Sequence, residues 1–171
     1  MIILAAGFLA CSVAAHQPSP YRSAASSPDQ QNALLKLQQK YSDERNPVHK
    51  AKILVRLGDL QVADAAGRSS ANDYAAAIEK LQQYRSEIEI THSAFLGIVA
   101  NPAQNPDGLH QLQISLRENL RRIHDIVVAM PASQRSAFVT VQEDLEAQNQ
   151  KMLDELFPSL EFAPAKPPSH P

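Results

Sequence analysis

The sequence of 171 residues contains no Trp, only five Gly and a single Cys. One Cys cannot form an internal disulfide, so the fold has to depend on its apolar core. The chain also lacks an HExxH motif, a Cys/His ligand set, an Asp-rich calcium loop, a haem-attachment motif, a Gly-x-Ser-x-Gly turn and a Gly-rich phosphate loop. These absences predict a protein that uses no cofactor or metal and that is not an enzyme.

The chain also lacks a large excess of either positive or negative charge. The chain has 16 Lys and Arg against 18 Asp and Glu, a net charge of −2, which does not favour a nucleic acid or an anionic membrane surface as partner. The composition is 44% hydrophobic and 20% charged, which is typical of a globular protein. Ala, Leu, Gln and Glu are plentiful, and these residues favour helices.

The first fifteen residues are uncharged and mostly apolar, which predicts a signal peptide over residues 1–15. A bilayer-spanning helix needs roughly 20 apolar residues, more than this segment has. Two processing sites remain open: cleavage between Ala15 and His16, or lipidation of Cys11, which ends a segment similar to a lipoprotein box. Either one predicts export to the periplasm or the extracellular space, and only lipidated Cys11 would attach the protein to a membrane.

Beyond the signal peptide, the sequence predicts a flexible Ser/Pro/Ala linker over 16–27, a helical domain over 28–157 and a Pro-rich disordered tail over 158–171. Proline directly after a capping residue is typical of a helix start, and it occurs at Pro28 and at Pro47. Gly67 is the expected end of the second helix, and Ser70 or Asn72 is the expected cap of the third. We predict five helices, at about 28–44, 47–66, 72–100, 108–130 and 133–157.

The last three predicted helices carry apolar residues at the 3,4 spacing of a coiled coil, interrupted in the fifth by Gln148. Because the connections between them are short, we expect antiparallel packing. The middle of the second helix is apolar almost all round, which indicates a central position. The predicted fold is therefore an all-α, five-helix antiparallel bundle with three long C-terminal helices.

Few residues suggest a site. Arg117, Arg121 and Arg122 form a basic cluster with two interpretations: a solvated face that pairs with acidic residues of the fifth helix, or a patch for an anionic partner. His92 lies on the apolar stripe of the third helix, and we expect a hydrogen-bonded core histidine. A pocket near Tyr84, His92 and His124 that binds a small molecule or a metal is the alternative.

Two resemblances bear on these interpretations. Leu57-Gly58, followed by Asp73-Tyr74 and Ala77, resembles the pattern of motif residues in a tetratricopeptide helical hairpin. The signal, Asn46-Pro47, Lys50-Ala51, Leu57-Gly58-Asp59-Leu60 and the long helix over 74–99 together resemble an uncharacterised family of exported all-helical proteins from acidobacteria. The second resemblance implies an exported helical protein and no particular activity. We predict a non-enzymatic structural or protein-interaction module of the bacterial envelope with an unidentified protein partner; the alternatives are a ligand-binding bundle and a lipoprotein tether.

Overall fold

The computed structural model describes residues 28–158, which form five α-helices and contain no strand. The helices are α1 (Pro28–Asp43), α2 (Pro47–Ser70), α3 (Tyr74–Leu96), α4 (Leu109–Ala129) and α5 (Arg135–Leu156), and a 3-10 turn (Ala132–Gln134) precedes α5. The prediction of an all-α bundle of five helices is thus confirmed. The predicted signal peptide, the linker and all but the first residue of the predicted tail lie outside the described residues.

The start of α2 follows the predicted chemistry. The side-chain oxygen of Asn46 accepts hydrogen bonds from the backbone N–H groups of Val48 (3.0 Å) and His49 (3.3 Å). Pro47 occupies the first helical turn, where it sacrifices no hydrogen bond. Asn46 therefore satisfies amides that a helix N-terminus leaves without partners.

The end of α2 differs from the sequence prediction. The helix continues through Gly67 to Ser70, and the left-handed residue that follows its end is Asn72, at φ 63°. The backbone N–H of Asp73 closes this turn on the carbonyl oxygen of Arg68, at 2.9 Å. Asn tolerates this backbone conformation better than most residues, so Gly67 is not needed as the terminator. Asp73 then caps α3 in place of Ser70 or Asn72, because its Oδ1 accepts from Ala76 N.

Gly108 fixes the start of α4 against the start of α2. Its φ is +86°, and a Cβ there would lie 3.1 Å from the carbonyl oxygen of Val48. Only Gly combines that backbone conformation with such a close approach. The preceding residue, Asp107, accepts a 2.7 Å hydrogen bond from Lys52 Nζ, which joins the same two helix ends.

Four of the helices form a closed ring. Helix α2 packs against α3 and α4, and α5 packs against the same two helices from the other side. Successive helices run in opposite directions, whereas α3 and α5 are neighbours that run in parallel, because Arg85 pairs with Asp144 and His92 with Glu155 further along both helices. Since α3 and α4 lie diagonally, the connection over 97–108 crosses one end of the ring.

Helix α1 packs outside this ring against α2. Its only fully buried side chain is Tyr41, whereas α2 buries residues that face three different helices. The expected central position of α2 is therefore confirmed. At 24 residues α2 is also as long as the three C-terminal helices, so four long helices, and not three, form the bundle.

Candidate functional site

The residues predicted for processing, Cys11, Ala15 and His16, lie outside the described part of the chain. The basic cluster is described, and the structure divides it. Arg117 and Arg121 are exposed on α4 and line a shallow, open depression with His124. Arg122 points towards α2: its Nη1 donates to Asn119 Oδ1 of the same helix at 3.0 Å and lies 3.9 Å from Oδ1 of Asp59 on α2.

The acidic residues of α5 form no ion pairs with this basic cluster in the described part of the chain. Gln142 and Glu146 of α5 border the depression, but within residues 28–158 no carboxylate of α5 lies within 4 Å of the three guanidinium groups. The expected ion pairs between the cluster and α5 are therefore not formed, and Arg122 pairs with α2. Asp125 and Glu146 lie in the depression with Arg117 and Arg121. The two negative charges offset the two positive ones, so the depression has little net positive charge to attract an anion.

Tyr84 is completely buried between α2, α3 and α4. Its ring lies against Gly58, where a Cβ would overlap with Cε2 and approach Cζ to 3.1 Å. Asn119 Nδ2 donates to the Tyr84 hydroxyl at 3.3 Å and to Asp59 Oδ1 at 3.1 Å. Burial raises the pKa of Tyr84 well above its ordinary value of 10.0, so the phenol stays neutral. These contacts make Tyr84 a packing residue.

His92 is the buried, hydrogen-bonded histidine that the sequence predicts. Its Nε2 lies 2.6 Å from Glu155 Oε2, and its Nδ1 lies 3.4 Å from Gln148 Oε1. The ring is only 4% exposed and joins α3 to α5. Gln148 interrupts the apolar seam of α5 because it meets this histidine.

The structure does not bring Tyr84, His92 and His124 into one pocket. Tyr84 meets Asn119 and His92 meets α5, whereas His124 is exposed in the depression beside Arg121. In the part of the chain from 28 to 158, no three side chains of His, Cys, Asp or Glu converge as a metal site would require. The three residues therefore lie at three separate places in the bundle.

A buried carboxylate on α3 was not predicted. Glu87 is 7% exposed, and its two oxygens accept hydrogen bonds from the side-chain amides of Gln38 (2.8 Å), Gln61 (2.9 Å) and Gln83 (3.0 Å). No Lys, Arg or His of the described residues lies within 4 Å of its oxygens. Buried charge is tolerated when hydrogen bonds satisfy it, and here three amides do so.

The same region attaches α1 to the ring. The Tyr41 hydroxyl donates to the backbone oxygen of Glu87 at 3.1 Å and lies 2.8 Å from Thr91 Oγ1. Lys50 Nζ lies 4.5 Å from the centre of the Tyr41 ring, a cation–π contact. Glu87 lies beside the apolar seam of α3 and not on it, so hydrophobic periodicity gives no signal for its burial. Its cluster of polar contacts orients α1 against the ring.

A groove opens beside this cluster, between the first half of α1 and the neighbouring parts of α2 and α3. We call it the α1 groove. It encloses about 220 Å³. Its described lining comprises Gln30, Gln31, Leu34 and Leu35 of α1, Leu60, Ala63, Asp64 and Arg68 of α2, and Lys80 of α3.

Leu35 gives the α1 groove an exposed apolar wall. This side chain is 64% exposed, whereas the core leucines of the ring, such as Leu57 and Leu81, are fully buried. Opposite Leu35, Leu60 and Ala63 continue the apolar surface. Asp64 and Arg68 at its edge form an ion pair of 2.9 Å. The arrangement is suited to holding apolar side chains at a polar rim.

The chain matches no protein-family model, and no curated protein or solved structure matches it. The resemblances to tetratricopeptide hairpins and to exported acidobacterial proteins thus stay predictions. No helix between residues 28 and 158 combines the length and the apolar character that crossing a membrane requires.

Proposed function

We propose that this protein is an exported, non-enzymatic interaction module of the bacterial envelope that binds a partner protein through the α1 groove. The observation that carries the proposal is a small apolar groove with an exposed leucine, Leu35, on an otherwise well-packed bundle. Covering a Leu side chain stabilises by about 1.5–3 kcal/mol. Because Leu35 is 64% exposed, a partner that covers it would gain about 1–2 kcal/mol from this residue alone.

The size of the groove favours a peptide over a metabolite. Pockets for small molecules enclose about 300–1,000 Å³ and bury most of the ligand. The α1 groove encloses about 220 Å³ and is open on one side. It therefore fits one or two apolar side chains, the kind of anchor that supplies most of the binding energy in protein interfaces.

The use of the ionisable groups supports a non-enzymatic role. Tyr84, Glu87 and His92 are all buried in contacts between helices and do not line the α1 groove. Of the described ionisable residues that do line it, Asp64 and Arg68 are paired with each other, and Lys80 donates to the amide oxygen of Gln83. A catalytic group has to reach its substrate, and none of these buried groups faces the groove.

Export is supported by the apolar segment over residues 1–15 and by the resemblance to exported helical proteins. A lipid on Cys11 would make the protein a tether as well, with α1 and its groove directly after the linker. Mass spectrometry of the mature N-terminus distinguishes the two forms. Acylated Cys11 indicates the tether, and a free amino group on His16 indicates a soluble protein.

Affinity purification from the envelope of producing cells tests the proposed function. Leu35→Glu places a charge in the groove. Ile98→Glu is its matched control, because Ile98 is 59% exposed and follows the C-terminal end of α3, whereas the groove lies near the N-terminal end of that helix. We expect the same partner with the wild type and Ile98→Glu, and its loss with Leu35→Glu. Equal recovery with all three proteins, or a defined enzymatic activity of the purified chain, would contradict the proposal.

A further inference from the structure

Among the described residues that line the α1 groove, Lys80 is a cation without an acidic partner. Lys80 Nζ donates to the amide oxygen of Gln83 at 3.3 Å. Among residues 28–158, no carboxylate oxygen lies within 4 Å of this amine. Lys80 therefore lies at the edge of an apolar surface with no ion pair to a described carboxylate.

The other cation at the rim is already neutralised. Arg68 Nε donates to Asp64 Oδ2 at 2.9 Å, and its Nη1 lies 3.7 Å from Asp73 Oδ2. These carboxylates raise the pKa of Arg68 and hold its guanidinium in place. The difference between Arg68 and Lys80 identifies Lys80 as the cation that is available to a partner.

We infer that the segment bound in the α1 groove is an acidic, amphipathic peptide of a partner protein, which places an apolar anchor against Leu35 and a carboxylate near Lys80. The inference rests on the proposed function and adds the chemistry of the partner. The apolar anchor supplies affinity. The carboxylate supplies orientation and selects against basic segments, because complementary charge contributes more to specificity than to affinity.

Two synthetic peptides test this assignment. Both carry Leu at positions i, i+3, i+4 and i+7, the spacing of a helix that binds in a groove. One has Glu at the flanking positions and the other has Lys. Binding of each labelled peptide to the full chain is measured by fluorescence anisotropy at low and high salt.

We expect the acidic peptide to bind about two- to fivefold more tightly than the basic one, the range that one exposed ion pair supports. The difference should fall at high salt because exposed charges are screened. Lys80→Gln should remove the preference. Lys151→Gln should keep it, since Lys151 is exposed on α5, a helix that packs mainly against α3 and α4 and does not line the groove.

The outcomes separate this inference from the proposed function. Equal binding of the two peptides, or tighter binding of the basic one, would overturn the acidic assignment while leaving the groove as a docking site. If neither peptide binds, or if Ala63→Leu fills the groove without weakening binding, the docking site itself is wrong. Binding of decanoate to the groove, with no binding of either peptide, would assign the groove to a small amphiphile and overturn the inference.

Discussion

Replacing Gly58 by Ala tests the packing of α2 against α3. In an unstrained helix this change stabilises by about 1 kcal/mol, because Ala has the higher helix propensity. At position 58 the new methyl group would instead overlap with Cε2 of Tyr84 and lie 3.2 Å from its Cδ2. Tyr84 is fully buried and its hydroxyl is bonded to Asn119, so the ring has little room to move.

The expected magnitude follows from these opposing effects. Overpacking a core costs about 1–3 kcal/mol, and losing the hydrogen bond from Asn119 costs about 0.5–1.5 kcal/mol more. After subtraction of the gain in helix propensity, we expect Gly58→Ala to lower the free energy of unfolding by about 0.5–3.5 kcal/mol. In a protein of this size each kcal/mol corresponds to a fall in Tm of about 2–4 °C.

Urea denaturation followed by circular dichroism measures this change. Gly67→Ala is the matched control, because Gly67 lies in the same helix without a positive φ and should gain stability. Tyr84→Leu removes the ring, and the double variant with Gly58→Ala should recover part of the loss. If Gly58→Ala is as stable as Gly67→Ala, the close contact between Gly58 and Tyr84 is refuted.

Three further predictions concern a cap, a buried phenol and a buried carboxylate. Asn46→Ala removes the cap of α2 and should cost about 0.5–2 kcal/mol in urea denaturation, whereas a loss below 0.2 kcal/mol would contradict the capping role. Burial raises the pKa of Tyr84. The buried neutral phenol therefore contributes fully to the free energy of unfolding below pH 10.0, the pKa of an unfolded Tyr, and this contribution is lost as the pH rises above 10.0. Tyr84→Phe should therefore flatten the fall of stability measured between pH 8 and 11 by up to about 1.4 kcal/mol per pH unit; an unchanged slope would show that the phenol is not buried. Glu87→Gln places a donor amide among three donor amides and should lower the free energy of unfolding by about 1–3 kcal/mol. We expect the loss to appear as faster hydrogen exchange in α1 than in α5. Equal exchange in the two helices would argue against Glu87 as the attachment of α1.

The helical fold was predictable because its signals are local. Asn46 and Pro47 mark a start that needs no knowledge of the rest of the chain, and the apolar spacing of α3 and α4 indicates the buried faces directly. The end of α2 was not predictable from Gly67. It depends on Asn72, which adopts a left-handed conformation in the turn between α2 and α3.

The packing order of the helices depends on contacts between residues distant in sequence. Nothing in α3 alone indicates that Arg85 meets Asp144, so the parallel pair of α3 and α5 could not be predicted. The diagonal crossing also depends on Gly108 and its approach to Val48, which join two ends far apart in the chain. Short connections favour antiparallel succession, and they do not determine which helices become neighbours.

The site residues divide in the same way. His92 was predicted as a buried, hydrogen-bonded residue because it interrupts an apolar stripe, and Gln148 interrupts the stripe that meets it. Glu87 gave no such signal, since its amide partners come from α1, α2 and α3. The α1 groove was also missed, because Leu35 looks like an ordinary helix residue until its exposure is known.

Site-specific photocross-linking in producing cells tests the central claim, that the α1 groove contacts a partner protein. A photoreactive amino acid is placed at position 35 in one protein and at position 98 in another. Both positions are exposed, and only position 35 lines the groove. The proposed function predicts a discrete adduct from position 35 and none from position 98. No adduct from position 35, or the same adduct from both positions, would contradict it.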